Sequence, residues 1–217
     1  MSEEQIQAGV QKLTGVVTAN LGMPDMFVRL WRLLAERGEP VSVEQLATAG
    51  GWPLEAIRSE LGRQPGVDWE DDGTIAGFGL TLHPTPHAFT FDGRVVYGFC
   101  ATDVVNFPAI LGRAGVAEST CPATGRRIRV ELTPNDVLNV EPPEAVVSKV
   151  HLTDAVENVR DLCDLGNFFS STEAAADWLA THPQGEVLPI AEEFEIGRRA
   201  VRELGWAAHS TDRPHCC

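Results

Sequence analysis

Apolar side chains in the first third of the chain recur every three or four residues, whereas beyond the middle of the sequence several runs alternate with a period of two. Between Pro24 and Arg37 the stripe is Met26, Phe27, Leu30, Leu33 and Leu34, and Gly38 stands where a C-cap belongs. Ser42 and Gln45 make a capping box. The Gly50-Gly51 pair predicts a tight turn, and Leu54, Ile57 and Leu61 mark a second short helix, which is helix-turn-helix spacing. Residues 67–78 then supply a hairpin with Asp72-Gly73 at its turn, completing a winged-helix outline.

The Pro- and His-containing connector His83-Pro84-Thr85-Pro86-His87 is the natural boundary, giving a winged-helix-like unit over 1–82 and a β-rich domain over 83–217. In the second part, Ala88 to Asp92 and Arg94 to Cys100 flank another Asp-Gly turn and read as a hairpin. Val116 to Cys121 and Arg126 to Leu132 flank Pro122-Ala123-Thr124-Gly125, and Ala145 to Leu152 is a further strand. Ser170 and Glu173 cap a helix over Ala174 to Ala180, and Ile190, Phe194, Gly197, Val201 and Leu204 line one face of the last. The expected class is α+β: a winged-helix-like helical unit, then a mixed or antiparallel sheet core with flanking helices.

The 217 residues, 43% hydrophobic and 22% charged, are enough for one large domain or two small ones. No apolar run approaches the ~20 residues that span a bilayer, and the first residues lack the basic-then-apolar pattern of a secretory signal. Five cysteines without framework spacing fit a reducing compartment, so a cytoplasmic location is expected. The net charge of −14 argues against nucleic acid or an anionic membrane as partner. Over residues 24–82, five Lys/Arg face ten Asp/Glu, so the winged-helix outline reads as a reused scaffold. A metal-responsive winged-helix regulator is the rival from another class.

Cys100 and Cys163, with Asp103 three residues after the first, offer two soft ligands and a proton carrier, since thiolates select thiophilic cations that carboxylates do not. Cys100, Cys121 and Cys163 are too widely spaced for the close ligand pairs of structural zinc. Cys121, at a strand end beside a turn, reads as packing. A Cys/His hydrolase would need His83, His87 or His151 as base for Cys100, and no local signature supports it. Cys216 and Cys217 are adjacent at the C-terminal end and could relay a bound soft ion.

The segment Tyr97-Gly98-Phe99-Cys100-Ala101-Thr102-Asp103, continuing through Val104 to Arg113, resembles the active-site segment of bacterial organomercurial (alkylmercury) lyases. The resemblance extends through Ile75 to Leu82, Cys121-Pro122-Ala123-Thr124-Gly125, Val140-Glu141-Pro142, Cys163 with Phe168-Phe169-Ser170, and Ala176-Asp177-Trp178. It implies that Cys100 and Cys163 bind mercury, that Asp103 is the third catalytic group, and that Cys121 is structural. It further implies protonolysis of a carbon–mercury bond without a cofactor, mercury being substrate and product. Mercuric reductase is the implied acceptor of Hg²⁺, with low-molecular-weight thiols able to substitute. The chain departs from some relatives at Phe99, where they carry Trp, and at Asp164, where they carry a second cysteine. An acid that holds a proton near neutral pH needs a shielded site, for which Phe99, Phe107 and Phe168 are the expected lining.

Overall fold

The computed structural model describes residues 1–150 and 157–208. Four helices come first: α1 (Glu3–Asn20), α2 (Pro24–Arg37), α3 (Val43–Gly50) and α4 (Leu54–Gly62). Gly38 and Gly51 end α2 and α3 in the left-handed conformation, and Ser42 and Gln45 form the anticipated capping box. α1 has no counterpart in the apolar pattern because only Val10 of its eighteen residues is buried. The short strands β1 (Asp68–Trp69) and β2 (Ile75–Phe78) form the wing as an antiparallel pair.

Next come β3 (Leu80–Thr81), β4 (His87–Phe91), β5 (Arg94–Gly98), α5 (Ala101–Leu111), β6 (Gly115–Thr120), β7 (Arg127–Leu132), β8 (Val137–Glu141) and β9 (Val146–Val150). The chain closes with α6 (Val159–Cys163), β10 (Phe168–Phe169), α7 (Ala176–Thr181), β11 (Gly185–Pro189) and α8 (Ile190–Glu203). The order β1-β2-β3-β5-β4-β6-β7-β8 makes an eight-stranded sheet, and β10-β9-β11 a three-stranded one. Every strand pair is antiparallel. The sheet runs from the wing into the second part without a break, Leu80 and His87 flanking Gly98 on its two sides. One apolar core likewise joins Phe27, Leu30 and Leu34 of α2 to Phe89, Val105 and Ile128.

Three local expectations need correction. The hairpin strand stops at Gly98, and Cys100 begins a helix instead of closing a strand. Ser170 caps nothing: its hydroxyl meets that of Thr124 at 3.2 Å, and Ser171 accepts the Ala174 N–H at 3.2 Å ahead of α7. The strand over 145–152 is seen as Val146–Val150, with residues 151 and 152 outside the described residues.

α5 packs between the large sheet and α8, and eight of its eleven residues are buried. Contact with α8 is close because Gly197 lacks a side chain: a Cβ there would run into the amide of Asn106. We therefore expect Gly197→Ala to overpack the interface and destabilise the protein by about 1–3 kcal/mol. Thermal melting measures this, and an unchanged midpoint would show that the two helices separate freely.

Candidate active site

Cys100 is the N-cap of α5, with extended backbone at φ −141° and ψ 172°. Asp103, at the third helical position, accepts the Cys100 backbone N–H at 3.1 Å, and the thiol faces the Asp103 N–H in return. This is a capping box with cysteine in the place of serine. The helix start therefore holds thiol and carboxyl side by side by local geometry alone.

Cys163 arrives from a distant part of the chain as the last residue of α6. The loop after it is tied on two sides. Gly166 accepts the Ala101 N–H at 3.0 Å, which fastens the loop to the first residue of α5. Buried Ser148 of β9 donates its hydroxyl to the Leu165 carbonyl at 3.1 Å and accepts the Asn167 N–H at 2.9 Å. Gly166 permits this approach, since a Cβ would lie 2.9 Å from the Cys100 Cβ. The ligand atoms of Cys100, Asp103 and Cys163 consequently lie within 4.8 Å of one another.

These groups open on a cavity of about 190 Å³ with mostly aliphatic walls, among them Leu13 and Val16 of α1, Val150, Val159 and Leu162. The aromatic lining expected from the sequence is not found. Phe107 packs against Phe89 and Phe168 against His87. Phe99 lies beneath Arg160, whose guanidinium sits 3.8 Å above the ring centroid and donates to Asp68 Oδ1 of β1 at 2.6 Å. The Lys149 ammonium donates to the buried Glu193 carboxylate at 2.6 Å on another side of the cavity.

Burial raises the Asp103 pKa to about 6, against the pull of hydrogen bonds from Cys100 and the Phe99 backbone and of the Arg160 charge. The hydrogen bond with the Cys163 thiol, burial and the nearby Asp103 charge together push the Cys100 thiol well above its ordinary range. At neutral pH the resting site thus pairs a protonated Cys100 thiol with a largely ionised carboxylate ready to receive a proton. Such an arrangement can bind a soft cation and move a proton beside it.

The remaining candidates lie elsewhere. Cys121 is fully buried in the core; burial lifts its thiol, but hydrogen bonds from Thr124 and Ser170 outweigh this and bring it to about 7. His83 pairs with Glu70 at 3.0 Å. His87 is buried against Ser119 at 3.0 Å, and burial lowers its pKa to about 4. Neither histidine lines the cavity. Asp164 is exposed at the end of α6 and adds no carboxylate to the cavity wall. His151, Cys216 and Cys217 lie outside the described residues. Sequence reasoning missed Arg160, Ser148, Glu193 and the α1 wall, whose partners are far away in the chain.

Two thiols and a carboxyl group on one cavity are the donor set that an enzyme acting on a soft metal would need. A family model described as alkylmercury lyase matches residues 80–202, and a second, described as the helix-turn-helix domain of alkylmercury lyase, matches residues 11–79. The alkylmercury lyase of Staphylococcus epidermidis is 43% identical over 179 residues, 82% of this chain and 82% of the relative. That of Streptomyces lividans is 40% identical over 192 residues, 87% of each. The crystal structure of the mercury-bound form of MerB2, 23% identical, superposes with a TM-score of 0.75 over 90% of this chain and 98% of that one, showing the same fold. The chain belongs to the alkylmercury lyase family, and it is an organomercurial lyase that cleaves carbon–mercury bonds. None of these matches supports a transcriptional regulator.

Two predictions follow from the electrostatics. A carboxyl with a raised folded-state pKa favours the native state while protonated, so its contribution to stability is lost as pH rises from the ordinary carboxylate value through about 6. Asp103→Asn, which keeps an oxygen for the Cys100 N–H, should therefore gain stability relative to the parent across pH 4 to 7. The gain should reach a few kcal/mol, on the order of 1.4 kcal/mol per pKa unit. Denaturant titrations at several pH values measure it, and a constant difference across that range would refute the burial of the charge. Cys121→Ser places a hydroxyl among the same hydroxyl and amide partners, so its cost should stay near or below about 1 kcal/mol with activity retained. A loss of mercury binding in the folded variant would make Cys121 a ligand instead.

Proposed function

We propose that Cys100, Cys163 and Asp103 carry out the cleavage by protonolysis. The observation that supports this most is the shared position of two thiols and one carboxyl, within 4.8 Å, on a largely apolar cavity. As the first sulfur bonds to mercury it loses its proton to the Asp103 carboxylate, and the ligand that mercury carried departs. The second sulfur then bonds and pushes electron density onto the mercury-bound carbon. Asp103 returns a proton to that carbon, the carbon–mercury bond breaks, and hydrocarbon leaves. In sum, R–Hg⁺ and two thiols give R–H, Hg²⁺ held by two thiolates, and one proton. A general acid/base of this kind is worth ~10²–10⁴-fold in rate.

No cofactor enters this scheme. The product is held by two soft ligands and leaves by exchange onto other thiols, for which mercuric reductase and low-molecular-weight thiols are the acceptors we favour. Cys216 and Cys217 supply adjacent soft ligands for the same exchange. A cytoplasmic setting suits thiols that must stay reduced. We read the helix-turn-helix unit as a wall of the catalytic part and not a reader of nucleic acid, because Arg58 of α4 is engaged by Glu44 and Glu55.

Benzene release from a phenylmercury salt tests the assignment. Cys100→Ser and Cys163→Ser should each abolish release, since a hydroxyl is too hard a ligand to replace sulfur. Asp103→Ala should still bind mercury compounds while losing ~10²–10⁴-fold in turnover. Near-parental turnover by any of the three folded variants, with excess thiol present, would remove that residue from the mechanism.

A further inference from the structure

Lysine occurs only twice in the 217 residues, as Lys12 and Lys149, and both line the thiol cavity. In a chain of net charge −14 this places cationic groups beside a site whose own ionisable residues are acidic or neutral. The two are not equivalent. Lys149 donates to Glu193 at 2.6 Å and lies 3.6 Å from Glu186, so its charge is balanced within the protein. Lys12 is exposed and has no ion-pair or hydrogen-bond partner among the described residues. With Gly9, Leu13 and Val16 it stands on the one face of α1 that borders the cavity, a spacing that puts them on adjacent turns.

An ammonium without a partner among the described residues, beside two thiols, suits a ligand with a small anionic end and a soft centre. Mercury compounds in thiol-containing water are carried on thiolates, because sulfur outcompetes oxygen and nitrogen for so soft a cation. Building on the lyase mechanism above, we propose that the cavity receives its organomercurial as the complex with a carboxylate-bearing thiol, Lys12 holding the carboxylate. The first of the two cysteines displaces that thiol as in the mechanism above: the new cysteine–mercury bond forms, the old sulfur–mercury bond breaks, the cysteine proton passes to Asp103, and the departing thiolate takes up the proton that the second cysteine gives up. Atoms and charge balance, and no oxidant or reductant takes part.

The test compares methylmercury supplied as its mercaptoacetate complex, which is anionic, with its 2-mercaptoethanol complex, which is neutral. Methane release from the full-length protein gives kcat/KM for each. The parent should prefer the anionic complex, and the preference should shrink as salt screens the charge. Lys12→Gln should lower the ratio of the two kcat/KM values about three- to fivefold, the scale of an exposed ion pair, through KM for the anionic complex. Lys12→Arg should restore the ratio. Arg58→Gln removes the same charge from α4 and should leave it unaltered. A parental ratio near one, or a ratio that Lys12→Gln does not change, overturns the proposal. Failure of the parent to cleave the neutral complex would count against the lyase mechanism itself, separately from the carboxylate subsite.

Discussion

In the proposed mechanism, the capping box that starts α5 is the contact on which the chemistry depends. A helix N-terminus leaves backbone N–H groups without partners and carries a partial positive charge, both of which favour an acceptor or an anion there. Here the acceptor of the Cys100 N–H is the Asp103 carboxylate, at 3.1 Å. The bond orients the acid, keeps it beside the sulfur, and offsets part of the cost of burying it. The offset is incomplete, since burial still raises the Asp103 pKa to about 6. A proton carrier needs that balance: held too strongly as an anion it would not take a proton, and held too weakly it would not release one near neutral pH.

The second sulfur has no such local device, and the fold supplies it through long-range ties. Ser148 fixes the loop after Cys163 to β9, and the Gly166 carbonyl fixes it to α5. Arg160, three residues before Cys163, reaches Asp68 on the wing while stacking on Phe99, the residue before Cys100. One guanidinium therefore touches the wing, the segment of the first cysteine and the helix of the second. Such a bridge limits how far the two sulfurs can drift apart before mercury arrives.

What was legible in the sequence follows the range of the interactions. The three helices from Pro24 on, the wing, the hairpin of β4 and β5 and the pair β6 and β7 rest on caps, Gly turns and alternation within a few residues, and they appear where the pattern puts them. α5 was unreadable by periodicity because it is buried on nearly every side and carries Pro108 within it, so no polar stripe sets the phase. α1 fails for the opposite reason, exposing most of its surface. β8 is a sheet edge with Leu138 and Asn139 exposed, and its alternation is correspondingly blurred. Within the site, Cys100 and Asp103 form a local motif. The place of Cys163 beside them came from resemblance, since nothing in the 62 residues between the two cysteines encodes proximity. Arg160 with Asp68 and Lys149 with Glu193 are separated by 92 and 44 residues and left no signal at all.

The winged-helix unit keeps the fold of its class while its surface charge departs from what phosphate binding needs. Its second helix keeps the helix-turn-helix spacing, yet Arg58 is bound by two glutamates, and the segment as a whole carries twice as many acids as bases. Phosphate contacts need free cations whose binding releases counterions, and this surface has little to give. Its polar groups turn inward instead: Asp68 accepts from Thr81 at 2.7 Å and from Arg160 at 2.6 Å, and α1 contributes Leu13 and Val16 to the cavity wall. Removing the unit would therefore uncover the thiols and release the arginine that spans them, which makes the helical part a structural component of the active site.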